Sequence, residues 1–246
     1  MRDDPVEHLF ATLADAQAFP LLDLLRILLL NRAVNQHYAL KDMAAIDGIV
    51  KRFLFSGFSH VACTSMTLKV ICNMFATAFG ANVMLDASRL PVILEAVGLG
   101  LCSSHADTVQ TAASVAFNCS LYVSRRDTDT LLALESPVVH CINNTTMSSN
   151  EHIGTPRLSI LAASLTLSLT HSNIAAYALL MTLGKLIYKC DEAVDLANTF
   201  EVSLEPFTTN DATSDKVKEV AREVAALLQA SAAAAATATT STTPTV

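Results

Sequence analysis

Apolar residues recur with the period of an α-helix in two similar stretches, and this recurrence most constrains what the chain can fold into. The stretches are TLKVICNMFATAF (residues 67–79) and TAASVAFNCSLYV (residues 111–123). In both, apolar or small residues lie near positions i, i+4, i+7, i+8 and i+11, which form one face of a helix. Each stretch also contains an asparagine, Asn73 or Asn118, although Asn is unfavourable inside helices because its side chain competes for backbone hydrogen bonds.

The spacing of the two asparagines indicates an internal repeat. Asn73 and Asn118 are 45 residues apart, which lies within the period of about 40 to 47 residues of HEAT and armadillo repeats. A third stretch, ALLMTLGKLIYKC, follows the same pattern when Gly184 is aligned with the asparagines. The longer step before it is explained by a polar loop at residues 143–156, which we expect to be mobile. We therefore predict an all-α, armadillo/HEAT-like helical solenoid with about five or six repeats.

Composition and capping residues agree with an all-α fold. The 246 residues include only seven Gly and seven Pro, and no Trp, whereas a strand-rich fold needs more turn residues. Candidate N-caps precede several apolar runs: Asp86, Ser104, Asp127, Asn173 and Ser214. Periodicity predicts helices at residues 5–16, 20–31, 42–55, 60–80, 86–100, 105–124, 127–135, 157–169, 173–190, 191–200 and 214–230.

The chain is expected to form one large domain with short additions at both ends. We predict an N-terminal helix or extension at residues 1–14, the armadillo-like domain at residues 15–230, and a low-complexity, disordered tail at residues 231–246. The tail sequence SAAAAATATTSTTPTV allows its alanine run to prolong the last helix, while its Thr/Ser/Pro end is typical of disorder.

Charge and cysteine usage exclude several classes of protein. The net charge of −7, with no cluster of basic residues, argues against a nucleic-acid partner. The six cysteines form no C-x-x-C pair and sit mostly in apolar runs, as expected for reduced thiols in a cytoplasmic or nuclear protein. The N-terminus lacks the features of an export signal. Residues 158–184 contain no charged side chain, but the polar break THSN (residues 170–173) predicts two buried helices there and no membrane span.

The sequence contains no recognisable catalytic, metal or cofactor site. It has no nucleophile elbow, zinc-binding helix or phosphate-binding loop, and its histidines lack the spacing of a zinc site. His140 and Cys141 are adjacent, but neighbours on one helix diverge and do not form a catalytic dyad. We therefore expect neither enzymatic activity nor a cofactor.

The asparagines have two possible uses. Lys69 and Asn73 share the shoulder of a helix beside its apolar face, as do Ser114 and Asn118. In an armadillo unit, an asparagine on this shoulder can hold the backbone of an extended peptide. Alternatively, each amide can bond a carbonyl group of the neighbouring repeat and serve a purely structural role.

Five blocks of the sequence, taken in order, resemble successive blocks of a PUL domain. They are AFPLLDLLRILLLNRAVNQHY, SMTLKVICNMFATAFGANVML, TVQTAASVAFNCSLYVSRRD, AYALLMTLGKLIYKCDEAVDLANTFEV and DKVKEVAREVAALL. The most specific pieces are the F-P-x-L-D-L-L-R opening, the C-N-x-F block and the L-x-x-L-G-x-L-I block. Together the blocks cover residues 15–230.

This resemblance implies an armadillo-like adaptor that acts in ubiquitin-dependent protein handling. PUL domains of this kind bind the acidic, tyrosine-containing C-terminal tail of the valosin-containing-protein type AAA segregase. Relatives carry basic residues in the groove, at positions that look like Lys69 and Ala178 here, and Lys185 compensates for the charge that Ala178 lacks. The expected peptide-binding residues are Lys69, Asn73, Asn118, Tyr177 and Lys185.

The alternative is a structural scaffold, or an accessory domain of a ubiquitin-pathway peptidase, whose groove has a changed or lost ligand. The charge of the groove distinguishes the two functions. An adaptor for an acidic tail requires a basic channel in an otherwise acidic surface, and a scaffold does not.

Overall fold

A computed structural model describes residues 10, 12–41, 43–55, 61–123, 128–147 and 173–240. Within these ranges the chain forms 12 α-helices and one π-helical turn, with no strand. The chain divides into two compact units, Met1–Asn118 and Cys119–Val246. Each unit is described by itself below.

The helices follow one another with short connections. The first unit contains α1 (Asp15–Leu28), α2 (Arg32–Lys41), α3 (Met43–Val50), the π-helical turn Lys51–Phe55, α4 (Val61–Met74), α5 (Ala78–Met84) and α6 (Leu90–Leu101). Helix α7 (Ala106–Tyr122) begins in the first unit and ends in the second. The second unit continues with α8 (Thr128–Met147), α9 (Asn173–Ile187), α10 (Asp191–Thr199), α11 (Glu205–Thr209) and α12 (Asp215–Thr240).

The core of the first unit is built from apolar helix faces packed in pairs. Helix α1 buries Ala18, Leu22, Leu25 and Leu29, an i, i+4, i+7, i+11 stripe, and packs with it against α4. Helix α2 packs against α5. Gly100 allows α6 to approach α7 closely, since a Cβ atom at this position would lie 2.6 Å from the Cβ of Ala112. Small residues therefore set the distance between these two helices.

A buried asparagine that the sequence analysis did not single out ends two helices of the first unit. Asn35 on α2 is fully buried, and its Nδ2 lies 3.1 Å, 3.0 Å and 3.2 Å from the carbonyl oxygens of Leu29, Asn73 and Met74. These carbonyls belong to the ends of α1 and α4, where backbone acceptors have no intrahelical partner. Asn35 thus satisfies acceptors on both helices.

The same asparagine explains why the predicted single helix at residues 60–80 was wrong. Asn35 Oδ1 accepts a hydrogen bond of 2.5 Å from Thr77 Oγ1, and Thr77 in turn caps α5 by accepting from the backbone N–H of Gly80. The chain therefore turns between Met74 and Ala78. Gly80 is required here, because a Cβ atom would lie 2.0 Å from the carbonyl oxygen of Met74.

Other boundaries also differ from the prediction. Helix α1 begins at Asp15, with Pro20 inside it, and α8 continues past Pro137 to Met147 because the buried residues of its second half keep the helical spacing. Helices α2 and α11 were not predicted, and the predicted helix at residues 157–169 lies outside the described residues. Two residues assigned to the buried stripe of the repeat are exposed: Phe79, which lies beyond the turn, and Leu121.

The second unit is centred on α9, which packs against α8 and α12, while α10 also packs against α8. Asn173 and Ser214 were predicted as separate N-caps, but Asn173 Oδ1 accepts a hydrogen bond of 2.8 Å from the backbone N–H of Ser214. This bond ties the start of α9 to the start of α12. On α8, Glu135 is completely buried, and neither of its carboxyl oxygens has a hydrogen-bond partner.

Two further features bear on the predictions made from sequence. Helix α12 runs to Thr240 and so includes the alanine run, while residues 241–246 lie outside the described part; the division into domain and tails stays a prediction. All six cysteines are free; Cys102 is exposed, Cys72 is half-buried, and the other four are buried. Among the described helices, none is both long and apolar enough to cross a membrane.

Candidate functional site

A cleft in the first unit brings together residues from α1, α4 and α7. It encloses about 280 Å³ and is lined by Arg26, Lys69, Cys72, Asn73, Asp107, Gln110, Thr111 and Ser114. Two of the five predicted site residues, Lys69 and Asn73, therefore line one cleft, together with a second cation, Arg26. Asn118 lies two turns further along α7 than Gln110 and contacts the cleft residue Cys72.

The charge of Lys69 is already paired inside this cleft. Its Nζ lies 2.9 Å from Asp107 Oδ2 and 3.1 Å from Asp107 Oδ1, and Ser65 also donates a hydrogen bond to this carboxylate. Burial raises the pKa of Asp107, but the hydrogen bonds from Ser65 and Lys69 and the charge of Lys69 outweigh burial and hold the pKa below its usual value. Asp107 is therefore ionised at neutral pH and balances Lys69.

Arg26 is paired as well, with Asp23 one turn earlier on α1. Its Nε lies 2.6 Å from Asp23 Oδ1, and both side chains remain about one-third exposed. The cleft thus contains two cations whose charges are balanced by two carboxylates. Exposed or half-exposed pairs of this kind contribute less than about 1 kcal/mol, so an acidic ligand is able to compete for both cations.

The asparagines of the first unit use part of their amide groups internally. Asn73 Nδ2 donates a hydrogen bond of 2.6 Å to the carbonyl oxygen of Arg26 on α1, and Asn118 Nδ2 lies 3.3 Å from Cys72 Sγ. The structural use that the sequence analysis left open is therefore present. The Oδ1 atom of Asn73 has no partner among the described residues and lies on the wall of the cleft.

The two predicted site residues of the second unit lie on one exposed strip of α9. Tyr177, Met181, Lys185 and Tyr188 follow at helical spacing, and both tyrosines are about two-fifths exposed. Lys189 places its ammonium group 5.2 Å from the ring centre of Tyr188. Met181, Lys185 and Tyr188 also line a shallow groove of about 210 Å³ between α9 and α12.

Ala178 does not lie where the resemblance placed it. It was matched to a groove position that carries Arg in relatives, but the structure buries it, with 8% of its surface exposed. An arginine at this position would point toward the packed interior of the second unit. The neighbouring Tyr177 is the exposed residue, so the cationic and aromatic character of α9 comes from Lys185 and the two tyrosines.

Sequence reasoning missed Arg26 and Asp107 as members of the cleft. The Asp23–Arg26 pair is visible in the sequence as the one polar edge of an otherwise apolar helix, which is a signal for a surface position. Nothing in the sequence shows that Asp107 faces Lys69, because the two residues are on different helices. Among the described residues, no cluster of His, Cys, Asp or Glu side chains has the arrangement of a metal site.

The helices and their clefts define a class of all-α protein-interaction modules. A family model, the PUL domain, matches residues 4–223. The chain therefore belongs to the PUL domain family, whose members are armadillo-like protein-binding domains. The resemblance and the all-α, armadillo-like fold class predicted from sequence are confirmed. No curated protein and no solved structure matches the chain.

Proposed function

We propose that this PUL domain is an adaptor that binds the acidic, tyrosine-containing C-terminal tail of a valosin-containing-protein type AAA segregase. In this role it links the segregase to ubiquitin-dependent protein handling, in the cytoplasm or nucleus. The binding residues are Lys69, Asn73 and Asn118 in the first unit and Tyr177 and Lys185 in the second. The protein carries out no chemistry on the tail.

The observation that carries this proposal is the cleft in which Arg26 and Lys69 converge beside Asn73. The two cations offer charge-assisted hydrogen bonds to carboxylates of the tail, and Asn73 Oδ1 offers an acceptor to its backbone N–H groups. On α9, Lys185 has no ion-pair partner among the described residues, and Tyr177 and Tyr188 offer aromatic surface.

The charge balance of the cleft adds a requirement that the sequence did not reveal. Because Asp107 pairs with Lys69, the tail has to replace this carboxylate. Removing it in Asp107→Asn is therefore expected to strengthen binding of an acidic tail, by up to about fivefold. A ligand that does not use Lys69 would bind the variant and the natural protein equally well.

Calorimetric titration with a synthetic peptide of the segregase tail tests the proposal. We expect binding that weakens as salt is raised, because the charge pairs are screened, and that weakens at least tenfold in Lys69→Glu. Lys41→Glu is the matched control, since Lys41 is an exposed lysine at the end of α2 that lines none of the described cavities. Equal loss in both variants would assign the effect to net charge and would contradict the proposed site.

The internal bonds of Asn73 and Asn118 favour a second candidate, a structural scaffold whose groove does not take the tail. This alternative predicts no heat of binding from the folded protein at any salt concentration. It also predicts that Asn73→Ala lowers stability without changing any interaction with the tail. The adaptor instead requires that the same substitution weakens binding, because Asn73 Oδ1 is lost with the amide.

A further inference from the structure

A second cavity in the first unit lies between α3 and α6 and shares no residue with the cleft around Lys69. It has a volume of about 320 Å³, near the lower end of the range for ligand pockets, roughly 300 to 1,000 Å³. Its floor and walls are apolar: Ile46, Val50, Phe55, Met84, Val92 and Ile93. Val92 remains 39% exposed at the mouth, so the cavity opens to solvent.

The wall on the α3 side is an irregular helix. Residues Lys51–Phe55 continue α3 as a π-helical turn, and the first and last residues of this turn, Lys51 and Phe55, both line the cavity. A π-helical turn disrupts the regular hydrogen-bond ladder of a helix and occurs frequently at functional sites. Here it places an ammonium group and an aromatic ring at one opening.

The polar rim of the cavity carries cationic donors that the protein itself does not use. Lys51 is exposed and has no ion-pair partner among the described residues. Arg89 directs Nε and Nη2 at Asp47, at 3.1 Å and 3.2 Å, and no partner engages its Nη1. Two cations against one carboxylate leave a net positive rim on an otherwise acidic protein.

We propose that this cavity is a docking site for a linear segment of a partner protein in which a large aliphatic or aromatic side chain is followed by carboxylates. The apolar side chain enters between α3 and α6 and covers Val92. The carboxylates lie against Lys51 and the free edge of the Arg89 guanidinium. Such an anchor-plus-charge arrangement is common where peptides bind helical surfaces, and it is separate from the tail-binding cleft of the proposed function.

The test uses a short, capped Gly/Ser peptide that carries one leucine followed by two aspartates, together with two matched peptides. One replaces the leucine by serine, and the other replaces both aspartates by asparagine. Methyl resonances of Ile, Val and Met report binding in solution. We expect shifts at Ile46, Val50, Met84, Val92 and Ile93, and about tenfold weaker binding for each matched peptide.

Two pairs of variants locate the site. Val92→Asp places a like charge at the mouth and is expected to weaken binding at least tenfold, whereas Leu99→Asp, an exposed position two turns along α6, leaves binding unchanged. Lys51→Glu weakens binding about tenfold, and Lys41→Glu does not. All four positions are exposed, so folding is retained.

Three results would overturn the proposal. The leucine-to-serine peptide might bind as tightly as the parent peptide, the shifts might fall outside the cavity, or octanoate might shift these methyl groups while no peptide does. The last result would assign the cavity to small aliphatic carboxylates. A saturating amount of the segregase tail should not displace the probe, so failure here and failure of the proposed adaptor function are distinguishable.

Discussion

In the first unit, the buried amide of Asn35 has both its donor and its acceptor group bonded, whereas in the second unit both carboxyl oxygens of the buried Glu135 are without a partner. Both side chains are fully enclosed. A buried polar group that is satisfied fixes the geometry around it, while one that is not satisfied lowers stability. The two units therefore differ in how a substitution in the core should act.

The largest expected effect comes from disturbing the satisfied network. Gly80→Ala puts a methyl group 2.0 Å from the Met74 carbonyl oxygen and 2.6 Å from Asn35 Oδ1, so the Asn35 network has to separate. We expect the free energy of unfolding to fall by about 4 kcal/mol, measured by urea denaturation. Gly48→Ala is the control, because a Cβ atom there meets nothing within 4 Å; it should leave stability unchanged or raise it slightly. Equal effects of the two substitutions would show that the network does not determine the local fold.

The unsatisfied carboxyl should give an effect of the opposite sign. Burial raises the pKa of Glu135 to about 8 from an ordinary value of 4.5, so the folded protein keeps a proton that the unfolded chain releases. The free energy of unfolding should therefore fall as pH rises from about 4.5 to 8, and no further above that. Glu135→Gln removes this loss, and at pH 7 it should stabilise the protein by roughly 3 kcal/mol.

Denaturation of both proteins at pH 4.5, 7 and 9 measures this effect. The stabilisation should be small at pH 4.5 and largest at pH 9. Glu219→Gln, on the exposed side of α12, is the control and should not change the pH profile. A natural protein whose stability did not fall between pH 4.5 and 8 would mean that Glu135 is solvated or paired.

The smallest expected effect lies between these extremes, at an amide that is only partly satisfied. Asn73→Ala removes the hydrogen bond to the carbonyl oxygen of Arg26 and should lower the free energy of unfolding by about 1 kcal/mol. Asn82→Ala, an exposed position on α5, should lower it less. If the two variants were equally stable, the bond between α4 and α1 would be immaterial, and the use of Asn73 would rest on ligand binding alone.

The sequence predicted the fold class well because apolar periodicity and the family blocks agree with each other. It did less well where a distant side chain decides the local structure. The turn at residues 75–77 depends on Asn35, which is 38 residues or more away from the carbonyl groups it binds, so the apolar pattern of residues 60–80 looked continuous. The same limit applies to α8, where Pro137 suggested a helix end that tertiary packing overrides.

The candidate site shows the same limit. Helical spacing correctly placed Lys69 and Asn73 together, because both are on one helix. The pairing of Lys69 with Asp107 joins two helices, and neither residue type nor spacing reveals it. Ala178 was misplaced because a position seven residues from Lys185 lies only about 20° away on the helix, and that small rotation separates an exposed side chain from a buried one at the edge of a face.

The unequal exposure of the six thiols offers a spectroscopic handle without any change to the chain. Cys102 directly follows α6, the helix that carries Val92, and it is the one exposed thiol, whereas burial raises the pKa of Cys72 despite its hydrogen bond from Asn118. A maleimide dye should therefore react first at Cys102, because thiolate character and access govern alkylation. A fluorophore at this point would sense a peptide entering the cavity beside α6, and the natural sequence would serve as its own reporter.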